Sequence, residues 1–244
     1  MMLRAALAAL IVSAVGCSSS ESSAPSGQGT AGTGTTTQEV GDKNPYGVAY
    51  PTANLGTNAR SGSVAGNIMK NFKFRGYKTT PGALITPGSA TVEQISLADF
   101  FDPELRNKND AGEPYRILHI TVSSVWCGPC NEETKEIVTK VPALASKGVL
   151  FFTALADGPG QGTGATQLDL DGWVKKHKAN YPHALDPALK NFGGFFDAAA
   201  VPFNADVDLR SMEILYAGVG APQDIEAHVS KWVKWASQNP AQGQ

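Results

Sequence analysis

Residues Arg116–Val125 read RILHITVSSV and run straight into Trp126-Cys127-Gly128-Pro129-Cys130. The ten residues are β-branched and largely apolar, the pattern of a strand buried on both faces. Gly128–Lys147 then carries helix formers, two glutamates in its first turns and Gly148 as a C-cap, and so predicts a helix. The two cysteines stand where the strand gives way to the helix.

That position suits thiol chemistry. A helix N-terminus presents N–H groups without intrahelical partners and the positive end of the dipole. Both favour thiolate over thiol, and the thiolate is the attacking species. Cys127 is read as the exposed, activated sulfur, with Cys130 one helical turn on and within its reach. Pro129 fits the first turn, where a missing N–H costs nothing. Gly128 keeps the approach to a substrate disulfide open. Other uses compete. A structural disulfide across so short a loop closes little chain entropy. A zinc half-site needs two more ligands. There is no second cysteine pair, and the histidines at 119, 177, 183 and 228 show no HxxxH spacing, so no metal is expected.

Working outward, Val149–Ala156 (VLFFTALA) predicts a second buried strand, and Gly158–Gly164 a loop. Thr166–Asn180 and Pro187–Ala199 predict helices. Val201–Val207 and Glu213–Val219 predict two strands about a turn at Asp208–Ser211. Pro222–Gln238 predicts a closing helix with Ile225, Val229, Trp232 and Val233 on one face. On the other side, Phe72–Tyr77 alternates as one strand, and Val92–Phe101 reads as a strand entering a helical turn. From Arg116 the order is β-α-β-α-α-β-β-α, an α/β fold with a mixed sheet flanked by helices and an N-terminal extension. Gly160–Ala165 (GQGTGA) fits the G-x-G-x-x-A dinucleotide pattern. That pattern wants an acid ending a second strand about 20 residues on. Asp186 follows Tyr181-Pro182-His183, which is not strand-like, so the segment is read as a flexible loop.

The chain has 244 residues, 42% of them hydrophobic and 17% charged, enough to build a core. Its 20 Lys+Arg against 22 Asp+Glu give a net charge of -2, so no electrostatic case exists for a nucleic-acid partner. Three cysteines exclude a disulfide-rich mini-scaffold. No apolar run reaches the roughly 18 residues of a membrane span.

Residues 1–16 read as a signal peptide, with Arg4 before an apolar stretch at Ala5–Val15. Ala14-Val15-Gly16-Cys17 resembles a bacterial lipoprotein signal, which implies cleavage before Cys17 and its lipidation. Ala14 stands where those signals usually have Leu. Of the 21 residues Ser18–Gln38, 6 are Ser, 5 Thr and 4 Gly, a composition that cannot offset its ordering entropy. Residues 17–45 are thus a lipidated cysteine and flexible linker, 46–238 the folded domain and 239–244 a tail. Export implies an oxidising compartment. A lipoprotein would face the periplasm or sit on the outer membrane, and Ser18 supplies no inner-membrane retention cue of the Asp type.

WCGPC between a buried strand and a helix resembles the thioredoxin family, and Val201-Pro202 is a second match. In that family a proline after an apolar residue starts the third core strand, is cis and packs beside the cysteines. The chain is most similar to the TlpA-like exported redoxins, over about Arg116–Gln238. The resemblance implies a membrane-anchored thiol–disulfide oxidoreductase, more a reductase than an oxidant because of the Gly-Pro between the cysteines. It implies a Cys127–Cys130 disulfide in place of any cofactor, a protein disulfide client and a membrane thiol electron donor. Pro202 and Val201 would shape the substrate groove, and Trp126 would shield its rim. Lys135 stands where the family often has a proline, and Pro142 is expected to kink or end the first helix. Thr121 replaces the buried Asp of cytosolic thioredoxins. Glu133, three residues after Cys130, matches a functional Glu of some TlpA-like reductases. A solvated glutamate that complements the helix dipole reads equally well. Glu132 is read as solvated and Asp157 as a loop residue. An inactive copy of the fold, a thiol peroxidase (Ser124 lies three before Cys127, but Ile120 replaces that pattern's Pro) and a non-enzymatic binding module are the rival readings.

Overall fold

The computed structural model describes residues 42–52, 65–193 and 200–239. The signal peptide, Cys17, the body of the linker and residues 240–244 of the tail lie outside the described residues.

Seven strands form one mixed sheet: β1 (Lys73–Tyr77), β2 (Val92–Ser96), β3 (Ile117–Ser124), β4 (Val149–Asp157), β5 (His183–Leu185), β6 (Phe203–Asp208) and β7 (Glu213–Val219). Their order is β2-β1-β5-β4-β3-β6-β7. β3 pairs parallel with β4 and antiparallel with β6, while β4 pairs parallel with β5. Among the described residues three α-helices flank the sheet: α1 (Gly128–Ala145), α2 (Gln167–His177) and α3 (Ile225–Gln238). This is the α/β arrangement expected, a mixed sheet of thioredoxin-like topology, and the N-terminal β1–β2 hairpin widens it beyond β5.

β3 is buried along its whole length, and its alternation divides the core. Leu118, Ile120 and Val122 join one cluster with Phe74, Phe152 and Phe203. Ile117 faces the other side, with Phe151, Ile137 and Val141 and with Ile225 and Val229 of α3. His119 and Thr121 share that second face by the same alternation. Phe74 and Phe192 stack at 5.6 Å, and Phe74 meets Phe152 at 5.1 Å, so the N-terminal extension shares the central core. Gly76 is where β1 lies tight on β5: a Cβ there would stand 2.2 Å from the His183 carbonyl oxygen.

Two expectations need correction. Pro187–Ala199 is not a helix over its described part. A 3-10 turn covers Pro187–Leu189, with Ala188 and Leu189 at φ 51° and 59°. The cause is Asp186, whose carboxylate accepts the N–H groups of Asn191 (2.7 Å) and Phe192 (3.0 Å). Residues 194–199 lie outside the described residues. Second, Tyr181-Pro182-His183 does lead into a strand, β5, which ends just before Asp186.

Pro142, expected to kink or end the first helix, does not end it. α1 continues through it to Ala145. Proline cannot donate to the carbonyl of Val138. Asn180 Nδ2 donates to that carbonyl instead, at 3.1 Å.

Candidate functional site

α1 starts at the cysteines because Cys127 takes the N-cap position in extended conformation and Pro129 sits in the first turn. Cys127 Sγ accepts the Cys130 N–H at 3.1 Å, so one of the helix's unpartnered donors points at sulfur. Cys127 and Cys130 form a disulfide. The Val201–Pro202 peptide is cis, and the Val201 carbonyl oxygen lies 3.5 Å from Cys127 Sγ. Trp126, Gly128 and Pro129 are exposed around the pair, Val201 is half-buried and Pro202 is buried. Cys127 itself is only 2% exposed. The expectation of an exposed Cys127 is therefore corrected for the disulfide form. Cys127 belongs to an apolar cluster with Leu155 and Trp173, against which Val125 and Val201 pack.

Two side chains that the sequence reading did not single out, or misplaced, hold this corner. Asn131 Nδ2 donates to the carbonyls of Cys127 (2.7 Å) and Val125 (3.2 Å), and its Oδ1 accepts from Lys176 Nζ at 2.7 Å. Asp157 is not a loop residue but the buried last residue of β4. It accepts Trp126 Nε1–H at 3.2 Å and the N–H groups of Gly162 and Gly164 at 3.0 and 3.1 Å. The glycine loop's inward N–H groups are thus already satisfied by a carboxylate. That, rather than the missing strand, argues against a phosphate cradle there. A cleft of about 150 Å³ lies between Trp126, Val201 and this loop.

Beneath α1 the sheet carries several buried polar groups. Glu132 is solvated, its side chain 78% exposed. Glu133 is 4% exposed, so the solvated-face reading does not describe it. Its Oε1 accepts from Asn204 Nδ2 at 2.8 Å, while its Oε2 is buried without a partner. Burial raises its pKa to about 7, against the opposing pull of His119 and the Asn204 bond. Thr121, in place of an Asp, shares a 2.7 Å hydrogen bond with Thr153, which meets the Tyr181 hydroxyl at 3.0 Å.

Next to Glu133 lie His119, Asp206 and His228, from β3, β6 and α3. Asp206 accepts from His119 Nδ1 at 2.8 Å and from His228 Nε2 at 2.6 Å. One ligand-type atom from each falls within 4.8 Å of the others. However, both carboxylate oxygens sit at hydrogen-bond spacing from imidazole nitrogens, so the set is a hydrogen-bonded array. Sequence spacing could not find it. The available signal was the alternation of both strands, which puts His119, Thr121 and Ser123 of β3 on one face and Asn204, Asp206 and Asp208 of β6 on one face.

Comparison with protein-family models finds no match, and comparison with curated proteins finds none either. Solved structures do resemble the chain. One is the thioredoxin domain of a thiol-disulfide oxidoreductase from Bacteroides vulgatus: 16% identity, TM-score 0.46, covering 72% of this chain and 99% of that one. A secreted thiol-disulfide isomerase from Corynebacterium glutamicum aligns at 15% identity and TM-score 0.46, over 66% of this chain and 80% of its own. A reduced 2-Cys peroxiredoxin from Plasmodium vivax aligns at 11% identity and TM-score 0.49, over 71% and 96%. Such likeness carries no assignment of activity, and the functional reading rests on the geometry of the site.

Proposed function

We propose that the protein is an exported, membrane-anchored thiol–disulfide oxidoreductase that reduces protein disulfides. The observation that carries this reading is the sulfur of Cys127 at the N-cap of α1, receiving the Cys130 N–H at 3.1 Å. The same donor would stabilise a Cys127 thiolate once the pair is reduced.

In the reduced protein the Cys127 thiolate attacks one sulfur of a client disulfide. A mixed disulfide forms and one client thiolate leaves. Cys130 then gives its proton to the Glu133 carboxylate, attacks Cys127 Sγ and expels the second client thiolate. Two electrons pass from the dithiol to the client, whose thiolates take protons from solvent. Val201 and Pro202 shape the groove and Trp126 shields its rim. An electron donor, by this reading a membrane thiol protein, returns two electrons to the Cys127–Cys130 disulfide. Cys17 would hold the domain to the membrane through its lipid, with residues 18–38 as tether.

The test is disulfide reduction by the purified protein in the presence of a dithiol donor. Cys127→Ser should abolish turnover, and Cys130→Ser should accumulate the client mixed disulfide. Turnover retained in Cys127→Ser would sink the assignment. Consumption of hydrogen peroxide in place of disulfide reduction would make it a thiol peroxidase, and cysteines inert under native conditions would make it a binding module.

A further inference from the structure

Asn204 Nδ2 spends both hydrogens on fixed acceptors, Glu133 Oε1 at 2.8 Å and the Gly220 carbonyl at 3.0 Å. The amide oxygen is therefore turned away from Glu133. It is buried without a hydrogen-bond partner, as is His119 Nε2, and the nearby Asn204 amide favours the protonated His119 ring. The other nitrogen of that ring lies on Asp206, whose second oxygen is held by His228. A carboxylate can only accept in both bonds, so His119 must donate from Nδ1. Asn204 lies diagonally across from His119 on the same face of the sheet, by the β3–β6 register, and its free amide oxygen, brought onto Nε2, would ask the ring to donate there too. An imidazolium would answer both demands, with Asp206 as its counter-ion.

We propose that His119 and Asp206, steadied by His228, are positioning residues that hold the Asn204 amide on Glu133 and set the charge Glu133 carries when Cys130 reacts. The inference rests on the thiol–disulfide reading above. The array is not a proton wire, because an amide does not pass a proton along. Glu133 instead borders an open groove with Pro129, Glu136 and Pro222, the route by which its proton would leave. In the step concerned, the Cys130 thiol proton moves to Glu133, and the freed sulfur forms the bond to Cys127 as the client thiolate leaves.

The titratable groups around the array are Glu133 and Glu136 on α1, Asp206 on β6, Tyr216 on β7, His228 on α3 and Tyr181 beyond β4. Of these, Asp206 stabilises the His119 cation most, by charge and by hydrogen bond, against the cost of burial. That cation in turn pulls the Glu133 pKa down, so losing it should push Glu133 up.

The experiment is nuclear magnetic resonance on the oxidised full chain, reading the His119 ring nitrogens and the Glu133 carboxyl carbon across pH. Both His119 nitrogens should carry protons at about pH 6, since the ring's pKa lies above its usual 6.5. In His119→Gln and in Asp206→Asn the Glu133 midpoint should rise by about one pH unit, the size of a lost neighbouring charge. The pH profile of disulfide reduction should move with it. A merely structural role would lower stability and leave both midpoints in place. Where a variant does not fold, the wild-type nitrogen spectrum decides, and a neutral His119 at about pH 6 overturns the inference. So does an unmoved Glu133 midpoint or an unmoved pH profile in folded variants, with the function intact. A wild type that reduces no disulfide overturns the functional reading, and the inference with it.

Discussion

Asn204 Nδ2 of β6 donates to Glu133 Oε1 of α1 at 2.8 Å, on the helix that carries Cys130 three residues earlier. It is one bond for a carboxyl group that is otherwise dry. Burial therefore wins, and the Glu133 pKa stands near 7 instead of the usual 4.5. A carboxyl whose folded pKa is raised stabilises the fold below its unfolded pKa, and loses that contribution as pH rises through the folded value. Wild type should thus lose about 3 kcal/mol of stability from this group between about pH 4 and pH 8. Glu133→Gln should not show that loss. Urea unfolding across this range checks it: the difference between variant and wild type should grow with pH, and a constant difference would contradict the assignment.

Asn180 and Pro142 make a testable pair. Asn180 Nδ2 supplies the donor to Val138 that Pro142 lacks, at 3.1 Å. Asn180→Ala leaves that carbonyl unsatisfied, at a cost of about 1–3 kcal/mol. In a Pro142→Ala background the helix N–H returns, and the same substitution should cost less. Equal costs in the two backgrounds, read from unfolding curves, would remove the compensation.

Asp157 links the rim of the site to the glycine loop. Asp157→Ala removes the acceptor for Trp126 Nε1 and for Gly162 and Gly164. The expected loss is about 1–3 kcal/mol, with faster amide hydrogen exchange at Gly162 and Gly164. Unchanged exchange at both amides would show that another group holds the loop.

How much of this was readable in advance follows from the physics of each segment. β3, α1 and β4 were legible because long apolar β-branched runs and a Gly-Pro helix start leave few alternatives. β7 was placed residue for residue, and β3, β4 and β6 within two, for the same reason. β5 was not, because three residues after a proline carry no period; it exists because it fills the edge between β4 and β1. The segment after Asp186 has helix-forming composition, yet side-chain capture of two backbone N–H groups overrides it. The cysteine pair and Pro202 were visible as motif. Asn131, Asp157 and the His119–Asp206–His228 array were not, because their partners are set by the sheet register, and Asp206 lies 87 residues from His119. Burial of Glu133 was likewise a matter of which helix face meets the sheet.

The central claim is that Cys127 and Cys130 are a working redox pair, and its most direct measurement is their reduction potential. Full-length protein would be equilibrated against thiol buffers and the dithiol fraction read by alkylation. The account predicts a reversible two-electron equilibrium nearer the thioredoxin value of about -270 mV than the DsbA value of about -120 mV. A value near the latter would reverse the direction of electron flow, and a pair that fails to equilibrate at all would contradict the account.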